Sequence, residues 1–372
     1  MQLNVIDLFA GAGGLSLGAA RAGFKVVSAV EIDKHALETH VLNFPLVRHL
    51  DTDVASLEGR ALLAQSGLQA DELSGLIGGP PCQGFSSIGR QDPLDARNDL
   101  FAHFMRLVAE TLPAFYVAEN VPGILHGRNA DALKRALSNI PRGYVVLPPF
   151  KAEAYLFGAP TTRTRLFFVG YDPVRLNALD AEAFEAAKTK HRTTVRDALA
   201  GLPSRIQPTW LSESDGLRPV AMLEPSFFND RAQRNVPKGI GCVYSLNRFR
   251  QDGLTSGNMR TRHAEATATR YGALKCGEMD QRSKSVRLNP DGYCPTLRAG
   301  TGSDKGSYQA VRPIHFSAAR VITPREAARL QGFPDWFALH RTKWHSFRQI
   351  GNSVSPIVAE AIFKVIRKRI RP

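Results

Sequence analysis

A single cysteine has the surroundings of a nucleophile. Cys82 lies in the stretch Pro-Pro-Cys-Gln-Gly-Phe-Ser (80–86), which follows a short apolar run at 76–79. Each proline fixes its own φ and biases the preceding residue toward extended geometry. The pattern therefore predicts a thiol presented from a defined turn at the end of a strand. A buried structural cysteine is the alternative, and it is the usual one for a lone cysteine in an intracellular protein.

The elements around this turn follow an alternating order. Apolar runs at 5–8, 25–30, 76–79, 114–118 and 165–171 indicate strands, and helical character is found at 15–22, 33–43, 100–112 and 130–140. This alternation favours an α/β fold with a doubly wound, mostly parallel, Rossmann-like sheet. After about residue 172 the sequence becomes rich in Pro, Gly and Arg, which indicates a second, smaller and irregular domain. A capping-box pattern at Thr323, Pro324 and Glu326 predicts a helix over 323–330, and 355–368 is predicted as a final amphipathic helix.

Three features stand at the carboxyl ends of predicted strands, where open parallel sheets bind ligands. A glycine turn at 10–14 follows the first strand and allows a ligand to approach the backbone closely. Glu31 ends the second strand, where it can bind ribose hydroxyls, and Asp53 can accept a hydrogen bond from an adenine amino group. The combination predicts an adenosine-containing cofactor. The glycines read Gly-x-Gly-Gly and not the spaced G-x-G-x-x-G, which weakens a dinucleotide interpretation; a turn used only for packing is the alternative.

Composition and charge narrow the class of protein. The 372 residues carry a formal net charge of +14, and residues 231–320 supply +10 of it, with 16 Lys/Arg against 6 Asp/Glu. A segment this basic indicates a polyanion-binding surface, with a solvated surface as the alternative. No apolar run reaches the length of a membrane span and the N-terminus lacks a signal-peptide pattern, so a cytoplasmic protein is expected. The four cysteines have no C-x-x-C spacing, and neither a metal site nor a disulfide framework is predicted.

Taken together, the motifs resemble those of the cytosine-5 DNA methyltransferase family, in family order and over nearly the whole chain. The matching segments are Asp-Leu-Phe-Ala-Gly-Ala-Gly-Gly (7–14), Glu31, Asp53, 80–86, Arg97-Asn98-Asp99-Leu100, Glu119-Asn120-Val121, Arg163-Thr164-Arg165, 323–334 and 349–354. The resemblance implies a catalytic domain built from 1–185 and completed by 345–372, and a target-recognition domain over 186–344. It implies duplex DNA as the partner, S-adenosyl-L-methionine as methyl donor, S-adenosyl-L-homocysteine as product, and no metal.

The resemblance also implies a role for each catalytic residue. The Cys82 thiolate would add to carbon 6 of cytosine and make carbon 5 nucleophilic. Glu119, with a pKa raised by burial, would hydrogen-bond nitrogen 3, and Arg165 would bind the oxygen on carbon 2. Arg163 belongs to the same Arg-x-Arg element, and Asn120 would orient the backbone of the site. The alternatives are an exposed strand-end acid for Glu119 and a phosphate or structural contact for Arg165.

Cofactor contacts are expected from residues at the predicted strand ends and in the C-terminal motif. They are Phe9, Ala10, Gly11, Gly13, Gly14, Leu15, Glu31, Ile32, Asp53, Val54, Pro80, Leu100, Asn352, Ser353 and Val354. Two positions depart from the family pattern. Ile32 replaces an aromatic residue that often stacks on adenine, and Thr161 stands where Gln is usual before Arg-x-Arg.

For DNA, the target cytosine is expected to be flipped out of the duplex. Ile88 or Arg90, from the loop 84–97, would enter the space that the base leaves. The further DNA contacts expected are Ser86, Arg97, Arg260, Arg262, Thr296, Leu297 and Arg298, without assignment to bases or phosphates.

The sequence therefore predicts a DNA (cytosine-5-)-methyltransferase that acts within a short duplex site. Because the first motif begins at residue 7, no N-terminal regulatory module is expected. The pattern is that of a monomeric bacterial or phage enzyme. Its candidate partner is a restriction endonuclease that acts separately. Two alternatives stay open. One is a tRNA cytosine-5 methyltransferase of the same superfamily, whose branch typically has Pro-Phe-Thr where this chain has Gly-Phe-Ser. The other is a non-catalytic DNA-binding protein on the same scaffold.

Overall fold

The computed structural model describes residues 2–81, 100–207, 216–300 and 311–371, and a mixed sheet forms its centre. The strands are β1 Asn4–Leu8, β2 Lys25–Val30, β3 Arg48–Leu50, β4 Leu73–Gly78, β5 Phe115–Asn120, β6 Val145–Val146, β7 Phe150–Glu153, β8 Thr164–Tyr171, β9 Arg218–Pro219 and β10 Leu254–Thr255. The helices are α1 Gly14–Arg21, α2 Lys34–Asn43, α3 Gly59–Ser66, α4 Leu100–Thr111, α5 Arg128–Leu137, α6 Ala181–Glu185, α7 Val195–Leu199, α8 Phe227–Asn229, α9 Val243–Asp252, α10 Glu265–Ala273, α11 Pro324–Gln331, α12 Lys343–Asn352 and α13 Pro356–Arg367.

The order of the strands confirms the predicted doubly wound, mostly parallel sheet. It runs β3-β2-β1-β4-β5-β8-β6, with β7 also paired to β8. The pairs from β3 to β5 are parallel, and β8 is antiparallel to β5. All the residues of β1, β4 and β5 are buried, as expected for parallel strands that are covered by helices on both faces.

The chain changes direction at the centre of this sheet. From β1 it continues outward to β2 and β3 on one side, whereas β4 and β5 lie on the other side. In open α/β sheets the crevice beyond the carboxyl ends of the strands at such a switch point is the usual ligand site. Here β1 is followed by the glycine turn and β4 by Gly79 and Pro80, so these two segments meet at that crevice.

Two C-terminal helices, α11 and α13, form where the sequence predicts them. Thr323 accepts a hydrogen bond from the backbone N–H of Glu326 and the Glu326 carboxylate accepts one from Thr323, which completes the expected capping box of α11. α13 packs on α1 at Gly18, where any side chain would collide with Ala359. Within the described ranges no helix combines the length and the apolar character that crossing a membrane requires.

The segment before α12 shares its core with the first half of the chain. Asn43, at the end of α2, donates to the carbonyl of Ala338 (2.9 Å) and accepts from its N–H (2.8 Å). Trp336 and Phe337 lie in the same buried apolar cluster as Leu17. The division at residues 186 and 344 stays a prediction, and these contacts favour assigning 323–344 to the catalytic domain.

A fully buried ion pair connects α11 with the end of α7. Arg329 contacts both carboxylate oxygens of Asp335 at 2.5 Å and donates to the carbonyls of Ala198 and Ala200. Gln233 donates to the same carboxylate. Every polar atom that takes part is thereby paired inside the core, which is the condition under which buried charge is tolerated.

We predict that Asp335→Asn destabilises the protein by about 3–5 kcal/mol, because the Arg329 charge stays buried without its counter-ion. Asp291→Asn is the matched control, since Asp291 pairs with Arg196 at the surface, where ion pairs contribute about 0–1 kcal/mol. Chemical denaturation of both variants measures the two losses. Equal losses in the free energy of unfolding would show that the buried ion pair contributes no more to stability than the surface pair.

Candidate active site

The glycine turn after β1 has one residue that is open to the crevice. Phe9, Gly11 and Gly13 all have positive φ angles (57°, 57° and 96°). A side chain at Gly13 would collide with Phe44, so that glycine serves packing, whereas a Cβ at Gly11 would meet nothing within 4 Å. The left-handed Phe9 stores backbone strain of about 1–3 kcal/mol, as is common next to functional sites.

Glu31 connects this turn to the end of β2. One carboxylate oxygen accepts the N–H of Gly11 and the other accepts the N–H of Asp33, each at 2.8 Å. Burial is the main cause that raises the pKa of Glu31 above its ordinary value, and these backbone hydrogen bonds oppose it. A carboxylate has about four acceptor positions, so Glu31 can still receive two hydroxyl donors. The neighbouring Ile32 side chain is 61% exposed and available for an apolar contact.

The other residues expected at the cofactor differ in exposure. Asp53 is exposed, and its side chain caps a short 3₁₀ helix by accepting the N–H of Ala55. Val54 is buried, and Leu100 is half-buried at the start of α4. Gly14 lies directly against the carbonyl of Val354, so the C-terminal motif packs on the glycine turn.

A chain of hydrogen bonds runs beneath the glycine turn. Ser16 donates to Asp7 Oδ2 (2.6 Å), and the hydroxyl lies 3.1 Å from His40 Nε2. His40 Nδ1 lies 2.9 Å from His49 Nε2, on β3. Asp7 is the final acceptor. The half-buried His49 donates to His40, His40 donates to Ser16, and Ser16 donates to Asp7. Burial raises the pKa of Asp7 to about 7, and burial with His49 nearby holds the pKa of His40 well below its usual value.

At the end of β5, the Glu119 carboxyl meets the segment that follows β4. β4 and β5 are parallel with Gly78 opposite Ala118, so Gly79 and Glu119 emerge side by side. A Cβ at Gly79 would lie 3.1 Å from Glu119 Oε2. Asn120 donates to the carbonyl of Pro80 (3.2 Å) and accepts from the N–H of Val121 (2.8 Å). The acid is therefore fixed at the backbone that leads through Pro81 to Cys82.

The two arginines of the Arg-x-Arg element have different surroundings. Arg165 Nε lies 2.7 Å from Glu119 Oε1, and both side chains are mostly buried. Burial raises the pKa of Glu119, and the charges of Arg165 and Arg163 oppose that rise. Arg163 is 2% exposed and donates to the carbonyls of Leu297 and Asn352, each at 3.2 Å. Arg163 thus joins the segment around Leu297, which we call the recognition segment, to the motif at 349–354, which we call the C-terminal motif.

Close backbone contacts continue on the C-terminal side of the site. Gly351 lies against the peptide between Arg298 and Ala299. Ser353 is buried; it donates to the carbonyl of Gln349, and its own carbonyl accepts from Gln331. Asn352, between them, has an exposed side chain.

The structure places the expected recognition residues on two segments. Arg262, Thr296 and Arg298 are exposed, whereas Arg260 is half-buried and donates to the carbonyl of Ile206. Leu297 is 6% exposed within the core, so the accessible groups of the Thr-Leu pair belong to Thr296. Thr161, the departure from the family pattern, is fully buried and pairs with Cys294 across the start of that segment. Cys82, Ser86, Ile88, Arg90 and Arg97 lie outside the described residues.

Cavity size does not mark this site. A cavity of about 550 Å³ lies elsewhere, between α6 and α13, where Phe227, Glu360 and Lys364 line it. Beside Arg163 and Arg165 the enclosed space is only about 10 Å³. The polar groups at the ends of β1, β2, β4 and β5 identify the site instead.

Several residues of the site have no signal in the sequence. Ser16, His40 and His49 come from α1, α2 and β3, and no motif or spacing connects them with Asp7. The role of Gly79 does have a signal in the sequence. It follows a predicted strand and precedes Pro80, and a neighbouring predicted strand ends at an acid, Glu119.

The fold and this arrangement are those of a methyltransferase of the cytosine-5 type, and the comparison with protein families agrees. Residues 3–368 match the family described as C-5 cytosine-specific DNA methylase. The chain therefore belongs to this family, and it is a DNA (cytosine-5-)-methyltransferase.

Relatives match over nearly the whole of this chain and most of their own length. The chain is 38% identical to the type II methyltransferase M.XorII of Xanthomonas oryzae, over 98% of this chain and 85% of that protein. It is 31% identical to M.DdeI of Desulfomicrobium norvegicum, over 97% and 87%. Among solved structures, a DNA modification methyltransferase encoded within an E. coli prophage superposes with a TM-score of 0.87 at 45% identity, over 99% of both chains. The Dnmt2 methyltransferase of S. pombe shares the fold, with a TM-score of 0.64 at 17% identity.

We predict that Asp7 makes the folded state less stable as the pH rises from about 4 to about 7. Its pKa is about 7 in the folded protein against an ordinary 3.8, so between these values the folded state holds a proton that the unfolded state has lost. Stability then falls with pH by up to about 1.4 kcal/mol per unit. Asp7→Asn removes this contribution, so the variant gains stability relative to the wild type across pH 5–7.

Chemical denaturation at several pH values measures the difference between the two proteins. Asp51→Asn, at an exposed carboxylate next to β3, is the control and should follow the wild type at every pH. A constant difference between Asp7→Asn and the wild type would contradict the buried titration of Asp7.

Proposed function

We propose that this DNA methyltransferase transfers the methyl group of S-adenosyl-L-methionine to carbon 5 of a flipped-out cytosine through a covalent adduct with Cys82. The observation that carries the proposal is the position of the Glu119 carboxyl. It is buried, it contacts Arg165, and it lies against Gly79 just before the Pro-Pro-Cys segment.

The residues of the crevice fit an adenosine-containing methyl donor. Gly11 leaves open space beside the backbone, Glu31 keeps acceptor positions for two ribose hydroxyls, and the exposed Ile32 offers an apolar contact for the adenine. Asp53 follows β3 and is exposed, and we assign it to accept from the adenine amino group. When bound, the donor supplies a methyl group on a positively charged sulfur.

The proposed reaction begins with the addition of the Cys82 thiolate to carbon 6. As the carbon–sulfur bond forms, electron density moves toward nitrogen 3 and the oxygen on carbon 2. Glu119 donates a hydrogen bond at nitrogen 3 and Arg165 binds that oxygen, so both stabilise the charge that develops. Carbon 5 then takes the methyl group as its bond to the donor sulfur breaks, which leaves S-adenosyl-L-homocysteine. A base removes the carbon-5 proton, and the bond between carbon 6 and sulfur breaks to release Cys82.

Arg163 is assigned a positioning role. Its guanidinium binds the main-chain carbonyls of Leu297 and Asn352, so one side chain connects the recognition segment with the C-terminal motif. Any movement of the recognition segment on DNA binding would be transmitted to the cofactor side through this link. The arginine also adds positive charge near Glu119.

The partners that we propose follow from the relatives. M.XorII and M.DdeI are named type II methyltransferases, which supports duplex DNA as substrate and a role in protecting a short site from a separate endonuclease. The exposed Arg262, Thr296 and Arg298 are proposed as DNA contacts. The family match is to DNA methylases, so the tRNA alternative is not favoured.

We predict that Cys82→Ala abolishes covalent trapping on duplex DNA that contains 5-fluorocytosine and lowers methylation by at least about 10³-fold, because no nucleophile then activates carbon 5. Glu119→Gln should slow methylation by about 10²–10⁴-fold. Cys276→Ala, which removes an exposed cysteine, is the control and should trap normally. Denaturing gels and bisulfite sequencing supply the two measurements. Trapping that persists without Cys82 would refute the adduct, and an intact protein that never traps would mean a non-catalytic scaffold.

We also predict that Ile88→Gly with Arg90→Ala removes most of the rise in fluorescence of a base analogue placed at the target position. These side chains are proposed to fill the space of the flipped base, so their loss lets the base return to the stack. Arg60→Ala, at an exposed arginine on α3, is the control. A double variant with the full rise in fluorescence would contradict this role for the loop.

A further inference from the structure

Three histidines from distant parts of the chain meet on one face of the catalytic domain. His35 lies in the first turn of α2, His340 precedes α12, and His345 lies within α12. One ring nitrogen of each histidine lies within 4.8 Å of those of the other two. The rings of His35 and His345 have centroids 3.7 Å apart, and the His340 ring lies 5.0 and 4.5 Å from them.

A carboxylate lies beside the three rings. Glu38 Oε2 is 3.6 Å from His35 Nδ1 and 3.8 Å from His340 Nε2, and Glu38 is 64% exposed and free to turn toward them. The other charged groups nearby are Asp33, Arg341 and Arg348. Three imidazoles and a carboxylate are a donor set that suits Zn²⁺ and similar divalent metals.

The supporting contacts hold these groups in place. α12 is fixed to α2 by Gln349, which donates to the carbonyl of His35 (2.8 Å), and by the ion pair of Arg348 with Asp33 (2.8 Å). These two contacts hold His345 on α12 beside His35 on α2.

The surroundings of His340 also allow ligation through Nε2. Its Nδ1 lies 3.0 Å from Thr342 Oγ1 and 3.0 Å from the Thr342 N–H. Without metal, Nδ1 accepts from that N–H. Ligation through Nε2 needs the ring proton on Nδ1, so the ring must turn away from the Thr342 N–H until Thr342 Oγ1 accepts that proton, which is the usual outer hydrogen bond of a ligating histidine.

We propose that His35, His340 and His345, with Glu38 as the fourth ligand, form a binding site for Zn²⁺ or a similar divalent transition metal. Zinc–nitrogen bonds of about 2.0–2.1 Å put tetrahedral ligand atoms about 3.4 Å apart, so small rotations of the side chains close the site. The ion would connect α2, which begins at Lys34 shortly after Glu31, to α12, which ends at Asn352. It would therefore stabilise two segments that border the crevice. The alternative is that three neutral rings simply pack together.

The test uses the full chain without a polyhistidine tag, treated first with a chelator. Titration with Co²⁺ should show one equivalent bound, with the visible d–d bands of four-coordinate cobalt, and Zn²⁺ should displace it. Zn²⁺ should also raise the melting temperature, because it binds only the folded state. His35→Gln and His345→Gln should each weaken binding by at least about tenfold and remove the bands.

His126→Gln is the matched control, because His126 is exposed and follows β5. It should bind cobalt and respond to zinc as the wild type does. Far-ultraviolet circular dichroism shows whether each variant is folded. Absence of saturable uptake in the wild type would overturn the proposal, as would folded His35→Gln and His345→Gln variants that bind the metal with unchanged affinity. Neither result depends on the methylation mechanism.

Discussion

The candidate site depends on one close approach, between the Glu119 carboxylate and the backbone at Gly79. β4 and β5 are parallel neighbours in register, so the residues that follow Gly78 and Ala118 leave the sheet together. A side chain at position 79 would come within 3.1 Å of Glu119 Oε2, so glycine keeps the acid beside this backbone without displacement. Asn120 fixes the same segment through the carbonyl of Pro80. The spacing of two strands thus sets where the acid stands relative to Gly79 and Pro80.

Burial and charge act in opposite directions on Glu119, and the balance decides its chemistry. Burial raises its pKa, whereas Arg165 and Arg163 lower it, and the net effect is a rise. Glu326 is equally buried, but its pKa is shifted in the opposite direction. It accepts two hydrogen bonds from Arg320 and one from the Thr323 N–H, and its pKa is lowered. A buried carboxyl with few hydrogen bonds retains its proton more readily, and Glu119 is of that kind.

The sequence predicted the members of the candidate site that follow strand ends, because a parallel sheet brings its carboxyl ends to one edge. Glu31, Glu119 and the glycine turn were found in this way, and the capping box of α11 followed from local spacing. The hydrogen-bonded chain from His49 to Asp7 could not be predicted, since its members meet only through tertiary packing. For the same reason, the sequence could not show that Asn43 and Ala338 join the two halves of the chain.

The most direct test of this account is the pKa of Glu119 in the DNA-free protein. Infrared difference spectra, or carbon-13 NMR with labelled glutamate, would isolate its carboxyl signal by comparison with Glu119→Gln. The account predicts that the signal titrates above the ordinary glutamate value of 4.5, because burial outweighs the two arginines. A carboxyl that titrates at or below 4.5 would contradict the account, since Glu119 would then be a permanent anion held by Arg165 and could not donate to nitrogen 3.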